Sequence, residues 1–320
     1  MKKALLYIAY TLAYGFWWVM SLLPLWVLYR LSDLLYYVIT YVVRYRHDVI
    51  WNNLSTSFPE KSEAELREIE HQFYHWFCDY LVETVKLMSI SKRQLMQRMT
   101  LTGMEQIHEI LSEGQSIGVY LGHLGNWEWI TSLPYWTSNG LCCQLYHPLE
   151  NEYFDRLFKY VRELHGALCI PMQESLRKII TLSREGKPLI VGYISDQVPL
   201  WWNIHHWVDF LNHDTPVLTG AERIVKHTGQ AFFYGHVTRV KRGHYNCEMR
   251  LISRKTKEMA DFEITDLYYK ELERSIKNQP ELYLWSHNRW KRTREEFNKN
   301  WEVKNGKVVK RKKEQPQPQG

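Results

Sequence analysis

The sequence predicts an α/β protein with a central, mostly parallel sheet flanked by helices and preceded by an N-terminal membrane helix. Three observations carry this. Residues 4–29 contain no charged side chain. Beyond residue 60, segments of helical period alternate with short apolar runs rich in β-branched and aromatic residues, the pattern of strands and helices wound around a buried sheet. And 320 residues, 45% of them hydrophobic, suffice for one domain with its own core plus an appendage.

The N-terminal stretch comes first. A continuous helix over residues 4–29 would reach roughly 39 Å, enough to cross a hydrocarbon core of about 30 Å. A signal peptide has a shorter apolar region and a small-residue cleavage site, so an uncleaved anchor is expected. Gly15, Pro24, Trp17, Trp18 and Trp26 leave open a helix that lies in the interface plane. The second apolar run, Leu34–Val43, is short and Tyr-rich and reads as a buried or interfacial helix. Residues 1–45 are therefore read as anchor and interfacial helix, 46–300 as the main domain, and 301–320 as a basic, Pro/Gln-rich disordered tail.

Within the main domain, Ser62 and Glu65 form a capping-box pattern that opens a helix over residues 63–88. Shorter helices are expected at 92–99 and 104–112. The period then changes. Ser116–Leu121 reads as a buried strand, Gly122–Asn126 as a turn and Trp127–Leu133 as a helix. Strands follow at 141–146, 168–171 and 188–195, with helices at 151–165 and 173–184 between them. A helix at 219–228, two strands at 231–240 and 245–252 joined by a turn, and a helix at 266–278 complete the pattern.

Composition narrows the function classes. A net charge of +6 suits anionic partners such as lipid headgroups or an acidic carrier protein. Fourteen Trp and twenty-one Tyr suit a surface that is apolar on one side and wet on the other. No nucleic-acid recognition motif accompanies the charge. The five Cys have no C-x-x-C spacing and read as reduced thiols. His205, His206, His213 and His287 lack the spacing of a fixed metal frame, so no metal and no cofactor are expected.

The candidate chemistry lies at the strand–turn–helix of residues 116–133. His123 sits just past a buried strand, where open α/β sheets place their ligand crevices. Glu128 follows five residues later. On one helix the pair would be about 140° apart, but His123 lies in the turn, so the two side chains can meet. An imidazole can take the proton of a hydroxyl as it attacks a thioester, and a carboxylate on the other ring nitrogen would fix the tautomer. Gly122 and Gly125 allow close backbone approach. The spacing alone is weak.

Its context is more specific. The block Gly122-His123-Leu124-Gly125-Asn126-Trp127-Glu128-Trp129 resembles the catalytic block of the lipid A biosynthesis acyltransferases, the late lauroyl- and myristoyl-transferases within the His-x4-Asp/Glu lysophospholipid acyltransferase group. Further blocks resemble the family in order: Asn53-Leu54 with Ser57–Glu60, Tyr146-His147-Pro148 with the helix carrying Arg162, Ser195-Asp196-Gln197, Trp207–Leu211 with Thr215-Pro216, and Tyr283–Lys291. The resemblance implies a glycerolipid-acyltransferase-like fold and a bacterial inner-membrane enzyme whose catalytic domain faces the cytoplasm. It implies acyl transfer from acyl carrier protein or a coenzyme A thioester to a hydroxyl of a lipid acceptor, a lipid A precursor first. His123 is then general base, Glu128 its orienter, and Arg162, Asp196, Asn126 and Gln197 substrate-binding. Two departures concern the acceptor: Val198–Trp202 follows Asp196-Gln197 where the family often has Tyr-Gly, and Asp209–Asn212 stands in place of a Phe-Phe-Gly. The alternatives are a lysophospholipid or amino-lipid acceptor, a lipid esterase, and a non-catalytic membrane scaffold.

Overall fold

The computed structural model describes residues 2–311, with the backbone alone for residues 2–5. Helix α1 spans Lys2–Leu22 and α2 spans Leu25–Tyr37. The pair bends by 118° at the break between them. Pro24 is the cause: it has no N–H to continue α1 and its ring excludes the preceding turn, while its carbonyl accepts from Val27 N (3.0 Å) and Leu28 N (3.1 Å) to start α2. The single span expected over residues 4–29 is therefore broken. No single helix among the described residues is long and apolar enough to cross a membrane. The second apolar run carries α2 into a π-helical turn, Val38–Val42, and leaves Leu34, Tyr37, Val38, Tyr41 and Val42 exposed.

Helix α3 (His47–Ser57) precedes α4 (Glu63–Lys86), which opens with the capping box of Ser62 and Glu65. Then come α5 (Lys92–Arg98), β1 (Met99–Thr102), α6 (Met104–Ser112) and β2 (Ile117–Leu121). The segment after β2 is a 3-10 helix, Trp127–Tyr135, that runs through Pro134 rather than stopping before it. Next are β3 (Leu141–Tyr146), α7 (Glu152–Glu163), β4 (Leu168–Pro171), α8 (Ser175–Arg184) and β5 (Leu189–Ile194). A hairpin of β6 (His206–Phe210) and β7 (His213–Val217) precedes α9 (Gly220–Thr228), β8 (Ala231–Lys241), β9 (His244–Ser253) and α10 (Glu263–Asn278). Helix α11 (Arg294–Asn300) leads into a second hairpin, β10 (Trp301–Lys304) and β11 (Lys307–Lys310). That hairpin stands where a disordered tail is expected. Asn305 and Gly306 take positive φ in its turn, the conformation that Asn-Gly supplies in two-residue hairpins. The rest of the expected tail, 312–320, lies outside the described residues.

The main sheet has seven strands in the order β1-β9-β8-β2-β5-β3-β4. All neighbours are parallel except β8 and β9. Strand β2 is central and buried along its whole length. Its residues alternate between two apolar layers, Tyr120 on one face and Ile117, Val119 and Leu121 on the other, as a two-residue period requires. Helices therefore cover both faces. The parallel strands β2 and β5 end on one side of the sheet, the side where open α/β sheets place their ligands.

All five Cys are free and buried. Burial pushes the thiols of Cys78, Cys142, Cys143 and Cys247 up to about 12 and that of Cys169 up to about 11.

Candidate active site

Strands β2 and β5 are parallel neighbours, with Leu121 paired to Ile194 at their last residues. The two chains leave the sheet side by side, one into Gly122-His123 and the other into Ser195-Asp196-Gln197. That adjacency brings His123 onto Asp196. Asp196 Oδ2 accepts from the His123 backbone N–H at 2.9 Å, and Oδ1 lies 2.6 Å from His123 Nδ1. The proton on Nδ1 follows from that carboxylate, which leaves Nε2 as an acceptor. Gln197 Nε2 lies 3.3 Å from it. The ring of Trp127 stands edge-on to the imidazole, 5.0 Å between centroids.

The turn is held from the other side by the chain's closing block. Gly125 N donates to Leu282 O (3.0 Å) and Leu284 N donates to His123 O (3.1 Å). Gly122 has no room for a side chain: a Cβ there would stand 2.4 Å from Leu272 Cδ1 and 3.6 Å from Asp196 Oδ2.

Asp196 is 2% exposed. Burial alone would raise its pKa, but the His123 imidazole, both hydrogen bonds from His123, and Arg289 outweigh it and hold the carboxyl below the usual range. Arg289 is itself buried. Its Nη2 donates to Pro216 O (2.8 Å) and to the Tyr269 hydroxyl (3.0 Å), while Nε and Nη1 have no partner among the described residues. Tyr269 in turn donates to Ser195 O (2.9 Å), fixing the residue next to Asp196. Burial also pushes His287 down to about 4, against the pull of Asp196.

Glu128 does not meet His123. Arg162 takes both of its carboxylate oxygens, Nε to Oε2 at 2.9 Å and Nη2 to Oε1 at 2.5 Å. The expected orienting role of Glu128 toward His123 is therefore corrected: the carboxylate on the imidazole comes from the neighbouring strand. A fork-to-fork guanidinium pair is geometrically the better partner for a carboxylate one turn into the helix, and it holds α7 against the segment after β2. Burial opposes the charge on Arg162, and Glu128 more than offsets it, raising the guanidinium pKa.

Asn126 is corrected as well. It was expected to bind substrate, but it is fully buried. Its Oδ1 accepts from Trp129 N (3.0 Å), capping the 3-10 helix, and its Nδ2 donates to Glu83 Oε2 (2.7 Å). Arg162 and Gln197 keep solvent access, whereas Asp196 does not. Of the four histidines that invited a metal reading, His206 pairs with Asp266 at 2.7 Å and His213 stacks on Trp290. Among the described residues no group of three or more His, Cys, Asp or Glu is arranged around a metal-sized space.

A family model described as bacterial lipid A biosynthesis acyltransferase matches residues 1–292. The chain belongs to this family. It is thus a member of an acyltransferase family, and the match runs from α1 through the closing block that pins the His123 turn. Helix α11 and the last hairpin lie beyond it. A search of curated proteins finds no match. Reading along the chain names His123, Asp196 and Gln197 but not their contact, because strand adjacency is not written in a spacing. Arg289 and His287 stand in the closing block, where the only signal is an Asn-Arg-Trp-Lys run beside a likeness to the family.

Proposed function

We propose that this protein transfers a fatty acyl group from a thioester, of acyl carrier protein or of coenzyme A, to a hydroxyl of a lipid acceptor, and that His123 is the general base. The observation that carries this is the Asp196–His123–Gln197 chain of contacts at the end of β2, in a family of lipid A biosynthesis acyltransferases. Asp196 keeps the Nδ1 proton in place and favours the imidazolium that forms. The acceptor hydroxyl takes the place of the Gln197 amide at Nε2. Its proton passes to Nε2 as the oxygen attacks the thioester carbon. The C–S bond then breaks, and the imidazolium returns the proton to the departing thiolate. The products are an ester and a free thiol. Proton transfer of this kind contributes about 10²–10⁴ in rate.

Arg162, oriented by Glu128, offers its remaining N–H groups to a phosphate or carbonyl of a substrate. The family's description supports a lipid A precursor as acceptor. The bent α1–α2 pair exposes Leu12, Phe16, Trp18, Val19, Trp26 and Leu34, which supports a protein seated in one leaflet, and membership of the family favours the cytoplasmic side of a bacterial inner membrane. An apolar area of that kind on a monomer marks an interaction surface.

The test is acyl transfer by purified protein in lipid vesicles, with acyl-carrier-protein and acyl-coenzyme A donors and an under-acylated lipid A precursor. Wild type should give acylated lipid and His123→Ala none. Free fatty acid as the only product would make the protein an esterase instead, and a His123→Ala variant with the wild-type rate would overturn the assignment of the base.

A further inference from the structure

Helix α4 presents Asp79, Val82, Glu83 and Lys86 on one buried face, at the three- and four-residue spacing of helical neighbours. Each holds the N-terminal pair. Lys86 Nζ donates to Ser21 O (2.7 Å) and Leu23 O (3.1 Å), covering carbonyls that α1 leaves open at its end. Asp79 accepts from Ser32 Oγ (2.7 Å) and from Arg242 Nε (2.8 Å) and Nη2 (2.7 Å). Val82 packs with Leu25 and Leu28. Glu83 Oε1 accepts from the Tyr29 hydroxyl on α2 (2.9 Å).

Glu83 also reaches the other way. Its Oε2 accepts from Asn126 Nδ2 (2.7 Å) and from the Tyr245 hydroxyl (3.0 Å), and its backbone carbonyl accepts from Trp129 Nε1 (3.1 Å). One carboxylate thus holds the outer helix on one oxygen and, on the other, the turn between His123 and Glu128. Glu83 has no exposed surface. A buried carboxylate without a paired cation is costly, and a neutral side chain would fill the space without that cost. The ionised form accepts all three neutral donors. The protonated form keeps all three only if one hydroxyl, of Tyr29 or Tyr245, turns to accept its proton. Burial first, and Asp79 beside it, raise the Glu83 carboxyl to about 7, against the hydrogen bonds from Asn126, Tyr29 and Tyr245. The other charged groups of this cluster are Arg242, paired with Asp79 and Asp33, and Arg98, bonded to Gly243 O.

We propose that Glu83 is a positioning residue that couples the seating of α2 to the geometry of the turn carrying His123 and Glu128. A catalytic role for that turn rests on the function proposed above; the mechanical coupling does not. Helix α2 has its outer face, Trp26, Leu34 and Tyr37, exposed, so whatever covers that face acts on Tyr29 and, through Glu83, on Asn126.

The experiment compares wild type with Tyr29→Phe and Glu83→Gln in lipid vesicles, by hydrogen exchange of the peptides covering 122–131 and 263–278 and by acyl-transfer kinetics. Tyr29→Phe keeps the ring under Arg242 and removes only the hydroxyl that Glu83 accepts. Coupling predicts several-fold faster exchange in 122–131 in both variants with 263–278 unchanged, and a fall in kcat of about tenfold with KM for the donor unchanged. Exchange in 122–131 equal to wild type in Tyr29→Phe overturns the proposal, as does an equal rise in both peptides, which would make Glu83 a general packing residue. If wild type transfers no acyl group, the function above fails while the exchange comparison still decides the coupling. If Glu83→Gln does not fold, Tyr29→Phe decides alone.

Discussion

Asp196 grips His123 at two points, the backbone N–H with one oxygen and ring Nδ1 with the other. The second bond sets the tautomer and the first fixes where the residue sits. Asp196→Asn keeps the shape but presents an amide that can favour the wrong tautomer. We expect kcat to fall by about 10²–10⁴ with donor KM changed little. A variant within threefold of wild type in steady-state kinetics would remove Asp196 from the mechanism.

The same residue sets a pH limit on stability. Its folded pKa is depressed, so its contribution is complete above the unfolded aspartate value of about 3.9 and is lost as pH falls through the lower folded value. Urea denaturation of Asp196→Asn should therefore lose less stability than wild type below about pH 4, and run parallel to it between pH 6 and 8.

His287 works at a higher pH. Its folded pKa, pushed to about 4 by burial, lies below the unfolded value of about 6.5. The unfolded chain then binds the proton first, so stability falls as pH drops from about 6.5 to the folded value, by about 3 kcal/mol at most. His287→Asn should flatten that slope. An unchanged slope between pH 6.5 and 4 would show that His287 is not the group responsible.

Gly122→Ala forces a methyl group against Leu272. Overpacking of this kind costs about 1–3 kcal/mol, and here it also pushes the residue before His123. We expect lower Tm and lower kcat together, with both partly restored by Leu272→Ala in the same chain. No restoration would mean that the contact with Leu272 is not what excludes a side chain at this position.

Removing residues 1–45 should not leave a folded domain. It would take Leu25 and Leu28 from Val82 and Tyr36 from the larger core, exposing apolar surface, and would remove Tyr29 from Glu83 and Ser32 from Asp79. The truncated chain should be aggregated or protease-sensitive. A monodisperse truncation with wild-type Tm would show that the N-terminal pair is a separable anchor.

Most of the fold was legible because its signals are local. The α4 capping box and the apolar runs at 117–121, 141–146 and 189–194 each state their own structure. What was not legible lacked such a signal. Helix α3 starts after Arg46 in a left-handed conformation with no capping side chain. The β6–β7 turn uses Leu211 and Asn212 at positive φ in place of the Asn-Gly or Asp-Gly that marks such turns; Leu211 is kept there by its own burial and by its N–H to Glu273 Oε2 (3.0 Å). The last hairpin does carry Asn305-Gly306, a cue outweighed by its basic, polar surroundings. In the site, the residue types were readable and the pairing was not, since Asp196 lies 73 positions from His123.

The five buried thiols have a practical consequence. With their pKa values near 11 or 12, they are almost wholly protonated at neutral pH and shielded from reagents. A cysteine introduced at an exposed position such as Leu12, Trp26 or Leu34 would be labelled selectively without removing any native one. A spin probe at each in turn, with oxygen and a nickel chelate as opposing relaxants, would measure how deep each half of the bent pair sits in a bilayer.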